Sequence, residues 1–337
     1  MTSPSGAPDL VELEAMPEAL DIDLMSRRLA PFLAGAGFPG DGGSPHLSAA
    51  RLVDCSPGKR AVVAYDVAGA ARPGPALIGK VYADSQRSGQ VHRLLEQLYA
   101  RADAGHRCRV PRPVAHLPEL GMSVYAAARG RSLDSLEGPE RADGAAAAAG
   151  WLASLHSSSV HLDRRFDLAA ERRDLVSWAQ LVARHEPRAA SAAARLLERI
   201  DALADQAPAP ALVPIHKDFH YQHVLFEEGR AVVIDLDEAR RGDRALDVAH
   251  FAANLRLLAM REQMPPGEKA QLESAFLETY AAATGYQPDG RHAFFRAYTC
   301  LKIAKQLVRG RGPRPAPGGD DRWRQIEFIL GEGLRRS

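Results

Sequence analysis

The chain changes character at Gly130. Before it, short apolar segments at residues 47–53, 60–67 and 76–82 are separated by turn residues, Cys55-Ser56-Pro57-Gly58 in one gap and residues 69–75 in the next. That spacing predicts a small sheet of antiparallel hairpins. A helix follows over 88–101, with Val91, Leu94, Leu95 and Leu98 on one face, then short strands over 110–114 and 122–128. After Gly130 the pattern is helical. Helices are expected over 145–156, 174–184, 191–203, 247–260, 269–284, 291–308 and 322–334, the one at 269 starting just after Pro265-Pro266. One strand pair, 224–226 with 231–234, interrupts them. A further helix is expected over 20–33, followed by a linker containing Gly35, Gly37, Gly40, Gly42 and Gly43. The fold class is therefore α+β: a small β unit with one main helix, then a larger, mostly helical unit. The expected organisation is an extension over 1–45, a sheet unit over 46–128, a helical unit over 129–309, and a linker with a last helix over 310–337.

Composition excludes several function classes. At 337 residues with 46% hydrophobic content the chain can bury a large core. A formal net charge of +1 supplies no field drawing it to nucleic acid or membrane. The Arg309-Gly310-Arg311-Gly312-Pro313-Arg314 tract reads as a solvated linker. Cys55, Cys108 and Cys300 are far apart and form no CxxC pair, which fits a reducing cytoplasm and argues against a zinc or disulfide framework. The acidic start Asp9-Leu10-Val11-Glu12-Leu13-Glu14 is unlike a signal peptide, and the longest apolar run, 145–155, is too short to span a bilayer. A cytoplasmic location is expected. Nothing in the pattern speaks to oligomeric state.

The residues suited to chemistry cluster between 216 and 247. Asp218 sits between the apolar runs 211–215 and 224–226, where a loop can hold a carboxylate at a cleft to orient a hydroxyl and take its proton. A loop Asp that merely bonds its own turn is the alternative. Asp235 follows Val232-Val233-Ile234, and a carboxylate straight after a buried run needs a partner, for which a metal ion is suited. Asp237 either shares that metal or faces an acceptor. Asp243 reads as a helix cap, and Asp247, in the first turn of the helix, as a structural residue bracing the loop.

Taken together, these pieces resemble the aminoglycoside phosphotransferase and choline kinase family, relatives of the protein kinases. His216-Lys217-Asp218 and Ile234-Asp235 are similar to its catalytic and metal motifs. The segment from Gly242-Asp243 to Asp247-Val248-Ala249 resembles its GDPxxDLA, with Arg244 where Pro is common. Leu152-Ala153-Ser154-Leu155-His156 resembles its LxxLH helix, and Val110-Pro111-Arg112-Pro113 its VPxP strand entry. The resemblance implies a protein-kinase-like two-lobed fold and transfer of the γ-phosphate of ATP to a hydroxyl of a small molecule, aminoglycoside-like, amino sugar or amino alcohol. It implies Asp218 as catalytic base, His216 as structural support and Asp235 as metal ligand. Lys80 would pair with the ATP phosphates, Gln90 (or Glu96) would orient Lys80, Ser56 and Gly58 would lie over the phosphates, and Val124 and Ala126 would flank the adenine. Asp237, Glu238 and His220 are candidates for the acceptor pocket, although Arg240, Arg241 and Arg244 are interleaved with the two acids.

The chain departs from that pattern at His223, where kinases carry a metal-binding Asn five residues after the catalytic Asp. Magnesium prefers oxygen ligands, so an imidazole there weakens a magnesium site and favours manganese. Gln in place of the Glu that partners Lys80 is a second departure. ATP with magnesium or manganese is thus the expected cofactor set. The competing expectation is a catalytically weak, nucleotide-binding, pseudokinase-like regulator.

Overall fold

The structure, a computed structural model, describes residues 13–38, 45–70, 74–103, 105, 107–204, 211–310 and 319–335. The acidic start before Leu13, Gly40, Gly42 and Gly43 of the expected linker, and the tract from Arg311 to Arg314 lie outside the described residues. The chain forms two compact units, Met1–Gly105 with Val110–Ala128, and His106–Arg109 with Arg129–Ser337. No helix among the described residues is long and apolar enough to cross a membrane.

In the first unit, helices α1 (Met16–Leu20) and α2 (Ile22–Gly35) precede strands β1 (Leu47–Ser56), β2 (Arg60–Val67) and β3 (Leu77–Tyr82). Helix α3 (Ser85–Asp103), β4 (Pro113–Leu117) and β5 (Met122–Ala126) complete it. The sheet order is β1-β2-β3-β5-β4, with every pairing antiparallel. Ala61, Val63, Tyr65 and Val67 alternate into the core from β2, as the two-residue period of a strand requires. Met25, Leu29 and Leu33, spaced four apart on α2, are fully buried in the same core. Burying each contributes roughly 1.5–3 kcal/mol. The strand expected over 110–114 starts instead at Pro113. Proline cannot donate to a ladder and restricts the residue before it, so the two-proline segment enters the sheet late.

The second unit begins with β6 (Arg131–Ser132), followed by helices α4 (Gly138–His156), α5 (Leu168–His185) and α6 (Ala190–Ala204). Then come β7 (Val213–Ile215), β8 (Val224–Glu227), β9 (Arg230–Val233) and β10 (Arg240–Gly242). Helices α7 (Arg244–Arg261), α8 (Pro266–Thr284), α9 (Gly290–Val308) and α10 (Asp320–Leu334) close the chain. Helix α4 starts seven residues before the expected 145, with Gly144 packed where a Cβ would meet Leu133, Leu136 and Phe226. Besides the expected β8–β9 hairpin, β6 adds to β8, and β7 pairs antiparallel with β10. The β6 addition depends on Gly130, whose φ of +113° and whose missing Cβ, 2.4 Å from the Phe226 carbonyl oxygen, admit no other residue without a shift. Helices α7 and α9 are buried nearly all round and form the centre of the unit.

Candidate active site

Two short strands frame the 216–242 region. The loop carrying Asp218 leaves β7, the β8–β9 hairpin follows, and Asp235–Ala239 leads into β10, which pairs back onto β7 through Ile215–Arg240. Both ends of the region are thus tied to one ribbon. The Ile234 N–H donates to the His223 carbonyl (2.9 Å), and the Val233 N–H to that of Arg109 (3.1 Å).

Asp247, fully buried on α7, organises the loop start. One carboxylate oxygen accepts from the His216 N–H at 2.7 Å, the other from the Lys217 N–H at 2.8 Å. His156 Nε2 lies 3.2 Å from the first oxygen, and its Nδ1 is 2.6 Å from the Tyr280 hydroxyl. The carboxylate needs a donor, so Nε2 carries the proton and Nδ1 accepts from Tyr280. Burial raises the Asp247 pKa, but the hydrogen bond and charge of His156, with His216, lower it more, and the carboxyl stays ionised below its ordinary range. His216 is itself buried, stacks against His223, meets the Phe219 ring at a tilt, and donates from Nε2 to the Ile234 carbonyl at 3.1 Å.

Lys217 has φ of +69°, a left-handed conformation unusual for a side chain of its size. Its ammonium pairs with Glu171 of α5, whose other oxygen accepts from the Tyr298 hydroxyl of α9. These bonds, with that to Asp247, hold the backbone in a conformation costing on the order of 1 kcal/mol or more.

Next in the loop, Asp218 accepts from Lys302 Nζ of α9 at 2.8 Å, and His250 Nε2 of α7 lies 3.4 Å from the same oxygen. Burial pushes the Asp218 pKa up, but Lys302, the His250 hydrogen bond and the charges of His220 and His223 outweigh it. The carboxyl is held well below its ordinary range and stays ionised.

His223 Nδ1 lies 2.9 Å from the Asp218 carbonyl oxygen, so Nδ1 donates and Nε2 is free to accept. That Nε2 lies 3.3 Å from Asp235 Oδ2. Asp235 has φ of +61°, which short acidic side chains tolerate better than most. An imidazole nitrogen and a carboxylate oxygen at that separation fit adjacent ligands of one divalent ion, with a donor set suited to manganese or zinc more than magnesium. Asp218, His220 and His223 also bring one ligand atom each within 4.8 Å of one another. In that trio His220 Nδ1 accepts weakly from the Gln222 N–H (3.3 Å), which places the proton on Nε2 and favours His220 as a donor over a ligand.

Asp237 is buried, while Glu238 is half exposed and paired with Arg240 and, at 3.7 Å, with Arg164. Glu238 is therefore engaged by arginines rather than open to a cation. Asp243 caps α7 through the Ala245 N–H at 2.9 Å.

The remaining sequence-derived residues lie in the first unit. Lys80 is buried on β3 beside Gly79. Ser56-Pro57-Gly58-Lys59 is a turn closed by the Lys59 N–H on the Ser56 carbonyl (3.0 Å), with Gly58 at φ +65°. Pro at its second position and Gly at its third make it a type II turn. The Gln90 carboxamide accepts from Arg87 at 3.1 Å, and exposed Glu96 faces His92 at 3.7 Å. Val124 is fully buried on β5. The N–H of Ala126 is bonded to Arg112, and that of Ala127 to Ala76, so an adenine at this segment would rely on other backbone groups.

Three residues at the site escaped the sequence reading. Lys302, well inside α9, and Glu171, in the first turn of α5, lie far from the loop in sequence, where no motif marks them. His250, one turn after Asp247, looks core-facing by periodicity; it is buried, yet its Nε2 reaches Asp218. Burial, then the charge of Lys302, pushes its pKa down to about 4, and burial, then Arg296, does the same to His292 on α9. The ordinary value is about 6.5. A histidine whose pKa falls on folding stabilises the folded state fully above that ordinary value and loses the contribution as pH drops toward the folded one. The unfolding free energy, and with it the urea midpoint, should therefore fall between pH 6.5 and about 4, the free energy by on the order of a few kcal/mol in total. The depressed Asp247 and Glu171 add a loss of the same sign at lower pH. A midpoint unchanged from pH 7 to 4.5 would contradict this.

A small antiparallel sheet unit followed by a helical unit with an aspartate-bearing loop is the protein-kinase-like fold, and solved structures with that fold superpose on the chain. The spectinomycin phosphotransferase bound to ADP and spectinomycin is 14% identical, with 92% of this chain and 94% of that one covered and a TM-score of 0.55. An amicoumacin kinase complexed with AMP-PNP, calcium and Ami is 13% identical over 83% and 87%, with a TM-score of 0.55. A choline/ethanolamine kinase family protein from Mesorhizobium loti is 15% identical over 92% of each chain, with a TM-score of 0.51. A search of curated protein sequences finds no significant match. The profile of the phosphotransferase enzyme family matches residues 64–294, and the chain belongs to that family.

Proposed function

We propose that this protein transfers the γ-phosphoryl group of ATP to a hydroxyl of a small molecule, with Asp218 as the base that orients the hydroxyl and takes its proton. The observation carrying this reading is the Asp218 carboxylate, held ionised on a loop pinned by Asp247, with His223 Nε2 and Asp235 beside each other at 3.3 Å. Asp235 and His223 would hold the divalent ion, which neutralises phosphate charge when bound. Lys80 would pair with the phosphates, Gln90 would support it, the Ser56–Gly58 turn would cover them, and Val124 and Ala126 would border the adenine. His216 and Asp247 hold the loop. Asp237 and His220 are the acceptor-side candidates; Glu238 is tied up by arginines. The spectinomycin and choline/ethanolamine of the relatives' names make amino sugars, amino alcohols and aminoglycoside-like compounds the first acceptors to assay.

A catalytically weak nucleotide-binding regulator is the second reading, favoured by His223 in place of Asn and by a Gln90 bonded to Arg87. Turnover separates the two. ATP consumption by the wild type should be severalfold faster with manganese than with magnesium, and His223→Asn should shift the preference back toward magnesium. The same manganese-to-magnesium ratio in both proteins would remove His223 from the metal site, and nucleotide binding without turnover in either metal would favour the regulator.

A further inference from the structure

The charges around Asp218 bear on the acceptor. Near the loop in the helical unit, three carboxylates pair with lysine or arginine: Asp218 with Lys302, Glu171 with Lys217, and Glu238 with Arg240 and Arg164. One turn after Lys302 on α9, Lys305 has no such match. Its ammonium sits 4.1 Å from the centroid of the half-exposed Trp178 of α5, and no carboxylate forms an ion pair with it among the described residues. Asp218, and after it the exposed Asp174, act on it only through their charge, without an ion pair. Lys305 is crowded, since burial and then the charges of Lys302 and Arg309 push its pKa down to about 8. It also covers the aromatic face that would otherwise attract an ammonium group. A cationic alcohol approaching Asp218 from α5 and α9 would meet two lysines and an indole already capped by one of them.

Resting on the phosphotransferase reading above, we propose that the acceptor is a small hydroxy-carboxylate, its anionic group paired with Lys305 while Lys302 stays on Asp218. In the transfer, the acceptor oxygen bonds to the γ-phosphorus as the bond from that phosphorus to the bridging oxygen of ADP breaks. The hydroxyl proton passes to Asp218, and ADP leaves with the bonding pair. An anion held by Lys305 restores the charge balance that this lysine lacks in the free protein.

The test uses the full chain with ATP and manganese and two matched acceptor sets: glycerate, glycerol and serinol; gluconate, glucose and glucosamine. Transfer is followed by phosphorus NMR, and ATP hydrolysis without acceptor is measured in parallel for wild type and Asp218→Asn. The carboxylates should exceed the amines by about tenfold or more in kcat/KM, and Lys305→Glu should lower that ratio by about tenfold, with Lys305→Met in between. Amines ranking first, neither carboxylate accepting phosphate, or a ratio unmoved by Lys305→Glu overturns the inference. If hydrolysis depends on Asp218 while any of these occurs, the phosphotransferase reading stands and only the acceptor class falls. If neither hydrolysis nor transfer is seen, that reading fails and takes the inference with it.

Discussion

Asp218→Asn should lower phosphate transfer about 10²–10⁴-fold while leaving ATP binding, read by thermal shift, nearly intact. Asparagine keeps the size of the side chain and can still accept from Lys302 and His250, so the loop has little reason to move. What it loses is the charge. The aspartate is kept ionised against the cost of burial by Lys302, His250 and the neighbouring histidines. An amide in that place cannot take a proton from an attacking hydroxyl. The variant also leaves the Lys302 ammonium, 13% exposed, without its carboxylate, so a small drop in stability should accompany the loss. Transfer within a few-fold of wild type would remove Asp218 from the chemistry altogether.

Asp247→Ala should be the most destabilising single change in the loop region, by about 3–5 kcal/mol in urea unfolding. It strips partners from the His216 and Lys217 N–H groups and from His156 at once, all at a site with no solvent access. Asp247→Asn should cost less, because its one carbonyl oxygen still satisfies a donor while its amide group faces another. A change below about 1 kcal/mol for the alanine variant would mean that the loop keeps its shape by other means.

Much of this was legible in the sequence, for reasons that differ by element. The β1–β2 hairpin could be read because its turn carries Pro and Gly at the positions a type II turn demands. Helices α5–α9 could be read because their apolar spacing is regular. The strands β6, β7 and β10 could not, since two or three residues such as Arg131-Ser132 or Arg240-Arg241-Gly242 carry no periodicity and exist only through their pairing. At the site, Asp218, Asp235 and Asp247 stand out because each interrupts or opens an apolar run. Lys302 and Glu171 are invisible for the converse reason: charged residues on amphipathic helices are expected to face water. Only the packing of α9 and α5 around the loop turns them inward.

The left-handed backbone at Lys217 sets stability and function against each other. Glycine there would relieve the strain and steady the fold if geometry alone mattered. Yet the same exchange would delete the ammonium that ties the loop to Glu171 and, through it, to Tyr298. Stabilising selection on this protein would therefore erode the loop's anchorage first, and a hardened variant with a loosened catalytic segment is the outcome such selection should be checked for.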